Sequence, residues 1–117
     1  MQRLPWYWPT FPFIDLAQTY DVFLPMGYFT YRSHRASFSG TYTRRNIALL
    51  REWTGNPALP VHAIGGIASY ASPAQVRTFV QAARGNGAIG SSLYDFAGTT
   101  ERQWRELRAS NQPVTTG

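Results

Sequence analysis

Three short apolar runs, each followed by a stretch of helical periodicity, constrain this chain more than any other feature of its sequence. The runs are Tyr20 to Thr30, Leu59 to Ile67 and Gly87 to Tyr94. They are too short for lone buried helices, and β-branched and aromatic residues recur in them beside Pro25, the pair Gly65-Gly66 and Gly90. Their apolar character hardly alternates with polar residues, which is the pattern of strands covered on both faces in a parallel sheet.

The intervening segments change period. From Thr41 or Tyr42 to Trp53, Ile47, Leu50 and Trp53 share one side, and Gly55, Asn56 and Pro57 form a stop. Tyr31 to Gly40, just before it, reads as a polar loop. A second helix is predicted from about Ser72 to Arg84, with Ser72 as cap, Pro73 in the first turn, a stripe of Val76, Phe79, Val80 and Ala83, and Gly85 at the end. Thr100 and Gln103 fit a capping box for a third helix whose short apolar face is Trp104 and Leu107, before a polar tail from Ser110. A short helix from about Pro12 to Gln18 follows an aromatic lead-in. The order strand, helix, strand, helix, strand, helix predicts an α/β fold of parallel β/α units with right-handed crossovers. It divides one domain, 1-117, into a lead-in over 1-19, three β/α units over 20-109 and a frayed tail over 110-117.

Composition narrows the function. With 44% hydrophobic and 15% charged residues the chain is globular in type. No apolar stretch reaches the ~18 residues of a membrane span, and no leader-like run follows Met1, so the reading is no membrane partner and no assigned compartment. The absence of cysteine and the isolation of His34 and His62 predict no metal site. All eleven basic residues are arginine, for a net charge of +5, but they are scattered over the three main predicted helices, as on a solvated face, and no nucleic-acid partner is expected. No P-loop, HExxH or GxSxG motif occurs, and Ser91 and Ser92 have no evident His and acid partners for serine-based hydrolysis.

A complete eight-stranded β/α barrel takes ~250 residues. The 117 residues here are about half of that. Either they form a compact open sheet, or they are part of a larger barrel, since apolar strands with unpartnered edges are avoided. The segments DVFLPMGYFTY, PVHAIGGIAS and GAIGSSLYDF, the last followed by a helix containing Trp104, resemble strands six, seven and eight of TIM-barrel proteins of the glycoside-hydrolase type, over about Pro9 to Arg108. The resemblance implies the C-terminal half of such a barrel. Met26 and Tyr28 would project inward, carbohydrate would be the ligand with no cofactor, and the missing N-terminal half-barrel, or a second copy in a homodimer, would complete the fold. The strand-four segment that usually carries the catalytic acid in that family has no counterpart here.

Glycoside hydrolysis needs two carboxyl groups at the mouth of the site. Asp15 and Asp21 lie before or at the start of the first strand, and Glu52, Glu101 and Glu106 lie on helices, which leaves Asp95 as the candidate catalytic carboxylate. The plainer reading, which we favour, is a loop carboxylate that caps the following helix or pairs with Arg102. Tyr28, Arg32, Ser91 and Tyr94, with Met26, are the candidate substrate-binding residues, because an aromatic platform beside a guanidinium suits a sugar ring, although packing at a barrel mouth would use the same residues. Thr30 and Tyr31 leave the same strand end, while Trp6, Tyr7, Trp8, Phe11 and Phe13 read as a sugar-stacking loop or as a hydrophobic patch. An alternative site uses Gly65, Gly66, Gly90 and Ser91 as a phosphate cradle of backbone N–H groups. His62, early in its strand, reads as a satisfied interior histidine, and a non-catalytic interaction module remains the third alternative.

Overall fold

The computed structural model describes residues 11–110, with Ser110 described by its backbone alone. It is an α/β fold. In chain order the elements are α1 (Phe13–Thr19), α2 (Ala36–Thr54), β1 (His62–Ile67), α3 (Pro73–Gly85), β2 (Gly90–Tyr94) and α4 (Glu101–Ser110), with single 3₁₀ turns at Phe29–Tyr31 and Ala68–Tyr70. β1 and β2 pair in parallel, with His62 opposite Gly90, Ala63 opposite Ser91 and Ile64 opposite Ser92.

The first predicted strand, Tyr20 to Thr30, is only partly a strand. It joins β1 through two isolated parallel bridges, Phe23 to Val61 and Met26 to Ile64. The hydrogen bonds explain why. Phe23 N–H donates to Pro60 O at 3.1 Å, His62 N–H to Phe23 O at 2.9 Å, Ile64 N–H to Pro25 O at 3.3 Å and Gly27 N–H to Ile64 O at 2.9 Å. The missing rung is the one Pro25 would donate, and proline has no N–H to give. β1 and β2 are likewise shorter than their apolar runs.

α2 begins at Ala36 and not at Thr41, so half of the predicted loop is helix. Its first turns are rich in small polar residues because they form the contact with α3. Ser39, fully buried, donates to Ala36 O at 2.7 Å or to Gln75 O at 2.8 Å, and pairs with the Thr78 hydroxyl. At Gly40 a Cβ would sit 3.1 Å from the Thr78 carbonyl oxygen, so any side chain there would push the helices apart. α2 ends at Gly55, whose φ of +69° is the left-handed stop glycine supplies at little cost.

α3 starts as its sequence dictates. Ser72 accepts from Gln75 N–H while the Gln75 side chain accepts from Ser72 N–H, and Pro73 fills the first turn. The stripe Val76, Phe79, Val80 and Ala83 is buried and meets Phe29, Tyr42, Ala63 and Leu107 in the main core. A second cluster of Ile47, Leu50, Leu59 and Val61 takes Phe13, Ala17 and Phe23 against it. Phe13 anchors α1 to α2 by packing on Trp53 at a centroid distance of 4.9 Å.

Val61 and Ala63 therefore face the helices. Phe79 fills the space beside Gly65 on that same side. Strand alternation turns His62 and Ile64 the opposite way. On that second face Leu24 and Met26 are exposed, and among the described residues no helix covers it.

Candidate functional site

In a parallel sheet all strands end on one side, and the turns that follow them share that end. Two of these turns have the same build. In Phe29–Tyr31 and in Ala68–Tyr70 the first residue is buried as an anchor and the third is a tyrosine turned outward, Tyr31 and Tyr70 each being 66% exposed. Tyr94, the last residue of β2, and Phe96 just after it are exposed as well, and Phe96 lies 5.8 Å from the Trp104 ring. Each strand thus delivers at least one exposed aromatic to the same end of the sheet.

Glutamine side chains fix these turns laterally. Gln75, at the start of α3, is buried and donates through Nε2 to Ser33 O at 3.1 Å, in the preceding unit's turn. Gln103, at the start of α4, repeats the device by donating to Ala68 O at 2.8 Å and Ala71 O at 2.9 Å. Both glutamines also close a capping box, Gln103 with Thr100 at 2.9 and 3.3 Å. One side chain therefore caps its own helix and ties the turn next to it.

The predicted site residues divide between the two ends of the sheet. Met26 is exposed on the uncovered face, and Tyr28 packs edge to face on Tyr31 at 6.1 Å. Arg32 does not complete a pair with Tyr28, because its guanidinium lies over the Tyr42 ring of α2 at 6.0 Å. Tyr94 and Asp95 are at the aromatic end, and the peptide between them is cis. Ser91 is buried near the start of β2, away from that end.

The same split separates the candidate phosphate cradle. Gly65 and Gly66 lie late in β1, whereas Gly90 and Ser91 open β2 opposite His62 and Ala63. Packing accounts for both glycines of the pair. A Cβ on Gly65 would come 2.7 Å from the Phe79 ring, and one on Gly66 would meet Thr30 at 3.0 Å.

Asp95 serves its own turn. Its Oδ1 accepts from Gly98 N–H at 3.1 Å and its carbonyl from the Thr99 hydroxyl at 2.6 Å. Neither ion pair of the described residues involves it: these are Arg77–Glu106 and Arg105–Glu101. No group of three His, Cys, Asp or Glu side chains is placed to hold a metal among the described residues. Trp6, Tyr7 and Trp8 lie outside the described residues, and Phe11 packs on Phe13 with tilted rings at a centroid distance of 4.5 Å.

Sequence reading missed Tyr70, Phe96, the two glutamine ties and one polar contact on the uncovered face. There His62 Nε2 lies 3.1 Å from Ser92 Oγ. Burial lowers the His62 pKa from its ordinary 6.5. The unfolded chain therefore binds a proton at a higher pH than the folded one. Stability attributable to His62 is fully present above about pH 6.5 and declines as pH falls from there toward the lower folded value. His62→Gln is expected to flatten that acid limb in urea unfolding measured between pH 5 and 7.5, and an unchanged limb would contradict this assignment.

Comparison with known proteins gives no assignment: no family model matches the chain, and no curated protein and no solved structure matches it significantly.

Proposed function

We propose that this chain binds carbohydrate at the aromatic end of its sheet, as part of a larger β/α barrel resembling glycoside hydrolases. The observation that carries the reading is the row of exposed rings, Tyr31, Tyr70, Tyr94 and Phe96, delivered by successive strand-to-helix turns. Sugar rings present apolar C–H faces that stack on aromatics, with hydroxyls left over for hydrogen bonds. Tyr hydroxyls and the Asp95 carboxylate would supply those bonds. The uncovered sheet face around Leu24, Met26 and Ile64 supports a fold completed by further strands, from a missing N-terminal half-barrel or from a second copy. Hydrolysis needs a second carboxyl opposite Asp95, and in this reading the additional strands bring it.

The test is an amide chemical-shift titration with gluco-, xylo- and chito-oligosaccharides. Shifts are expected to concentrate at residues 28–32, 69–71 and 94–98. Tyr70→Ala and Tyr94→Ala are each expected to weaken binding about 3- to 10-fold, the ~0.5–1.5 kcal/mol of one aromatic contact. Absence of shifts at these turns in the folded chain, with every sugar, would remove the carbohydrate reading. Sedimentation of the same sample tests completion by self-association, which predicts a doubled mass.

A further inference from the structure

The uncovered face carries a polar pair in an apolar frame. Alternation along β1 turns His62 and Ile64 away from the helices, and register places Ser92 of β2 beside Ile64 on the same side. The pair is thus a product of strand register, 30 residues apart in sequence, with Nε2 and Oγ 3.1 Å apart. Exposed Leu24 and Met26 border the face at the adjoining segment.

A serine hydroxyl becomes a useful nucleophile when a neutral imidazole nitrogen within about 2.6–3.2 Å accepts its proton. The His62–Ser92 distance falls in that range. Partial burial favours the uncharged imidazole, which is the form that acts as a base. With the ring proton on Nδ1, Nε2 is the acceptor for the Ser92 hydroxyl.

We infer that Ser92, with His62 as its general base, is an acyl-accepting nucleophile that reacts with activated aryl esters entering over the uncovered sheet face. Ser92 Oγ forms the new bond to the acyl carbon as its proton passes to His62 Nε2. The bond from that carbon to the aryl oxygen breaks, and the aryloxide leaves with the electron pair and takes the proton. Water attacks the resulting ester of Ser92 by the same route and releases the carboxylic acid. No carboxylate orients the imidazole among the described hydrogen bonds, so the reaction is confined to esters with good leaving groups. This site lies within the strands, apart from the aromatic turns, and does not rest on the carbohydrate reading. It requires the sheet face to stay open, so it stands for the chain without further strands packed over that face.

The probe is 4-nitrophenyl acetate at pH 7.5, followed by peptide mapping of acetylated residues by mass spectrometry. Ser37, exposed on the first turn of α2, is the internal comparison. Ser92 is expected to acetylate about 100- to 10,000-fold faster than Ser37, the usual contribution of a positioned base. His62→Gln is expected to remove most of that advantage, and Ser92→Ala to remove the acetylated site. Equal labelling of Ser92 and Ser37 in the unaltered chain would overturn the inference, whatever the variants do. So would 4-nitrophenol release that persists in Ser92→Ala and is lost in His62→Gln, which would make the imidazole the nucleophile.

Discussion

Phe79→Ala is expected to destabilise the fold by about 3–5 kcal/mol, the cost of removing a fully buried aromatic side chain. Phe79 has no exposed surface, contacts Phe29 at a centroid distance of 5.7 Å and fills the space left open by Gly65. It joins α3 to the 3₁₀ turn after the first strand segment and to the floor of β1. A domain of this size has about 5–15 kcal/mol in total, so the variant should unfold at a much lower urea midpoint with an unchanged slope. Gly65→Ala approaches the same contact from the other side. Its Cβ would lie 2.7 Å from the ring, which forces the ring or the strand to move and costs about 1–3 kcal/mol. Combining Gly65→Ala with Phe79→Leu should cost less than the sum, because the smaller side chain yields the space. Strict additivity would show that Gly65 is not required by the Phe79 ring.

The Phe79–Gly65 contact also shows where sequence reading succeeds. The α3 stripe was legible because Val76, Phe79, Val80 and Ala83 repeat at helical spacing behind Ser72 and Pro73, all of them local signals. Thr100 with Gln103, and Gly55 as a stop, were legible for the same reason. The partner of Phe79 was not. A glycine pair in an apolar run is compatible with a phosphate cradle or with close packing, and only the approach of another helix decides between them. The first turns of α2 were hidden in a similar way. Ser37, Ser39 and Gly40 have loop-like propensities, yet Ser39 and Gly40 are what allows α2 to lie close to α3.

The site was less legible than the fold. Tyr28 and Tyr94 could be placed because they lie near or at the ends of apolar runs, whereas Tyr70 and Phe96 sit in turns without periodicity. Arg32 could be assigned to the right turn but not to its partner, since the Tyr42 ring it covers belongs to the next helix. His62 and Ser92 meet only through the register of β1 on β2, which no spacing in the sequence encodes.

Gln103 gives the second large effect, and it separates support of the aromatic turns from support of the core. Its side chain is buried, its oxygen accepts from Thr100 N–H, and its Nε2 donates to the carbonyls of Ala68 and Ala71. Gln103→Ala leaves those groups without that partner, each at about 1–3 kcal/mol if it stays dry, so a loss of about 2–4 kcal/mol is expected after partial rehydration. Gln103→Glu is the sharper variant. It keeps the oxygen that caps α4 but places a second carboxylate oxygen against two carbonyl oxygens, where nothing donates to it. The ionised form is therefore penalised, and the pKa of the new carboxyl should rise above the ordinary glutamate value near 4.3. Because the folded chain would then hold its proton more tightly than the unfolded one, Gln103→Glu should gain stability relative to the parent as pH falls from 7 toward 4. Both variants should speed amide exchange at residues 69–71, the turn that presents Tyr70, well before they affect the amides of α3. A Gln103→Glu variant with the parent's pH profile and unchanged exchange in this turn would mean that the glutamine tie does not hold the turn.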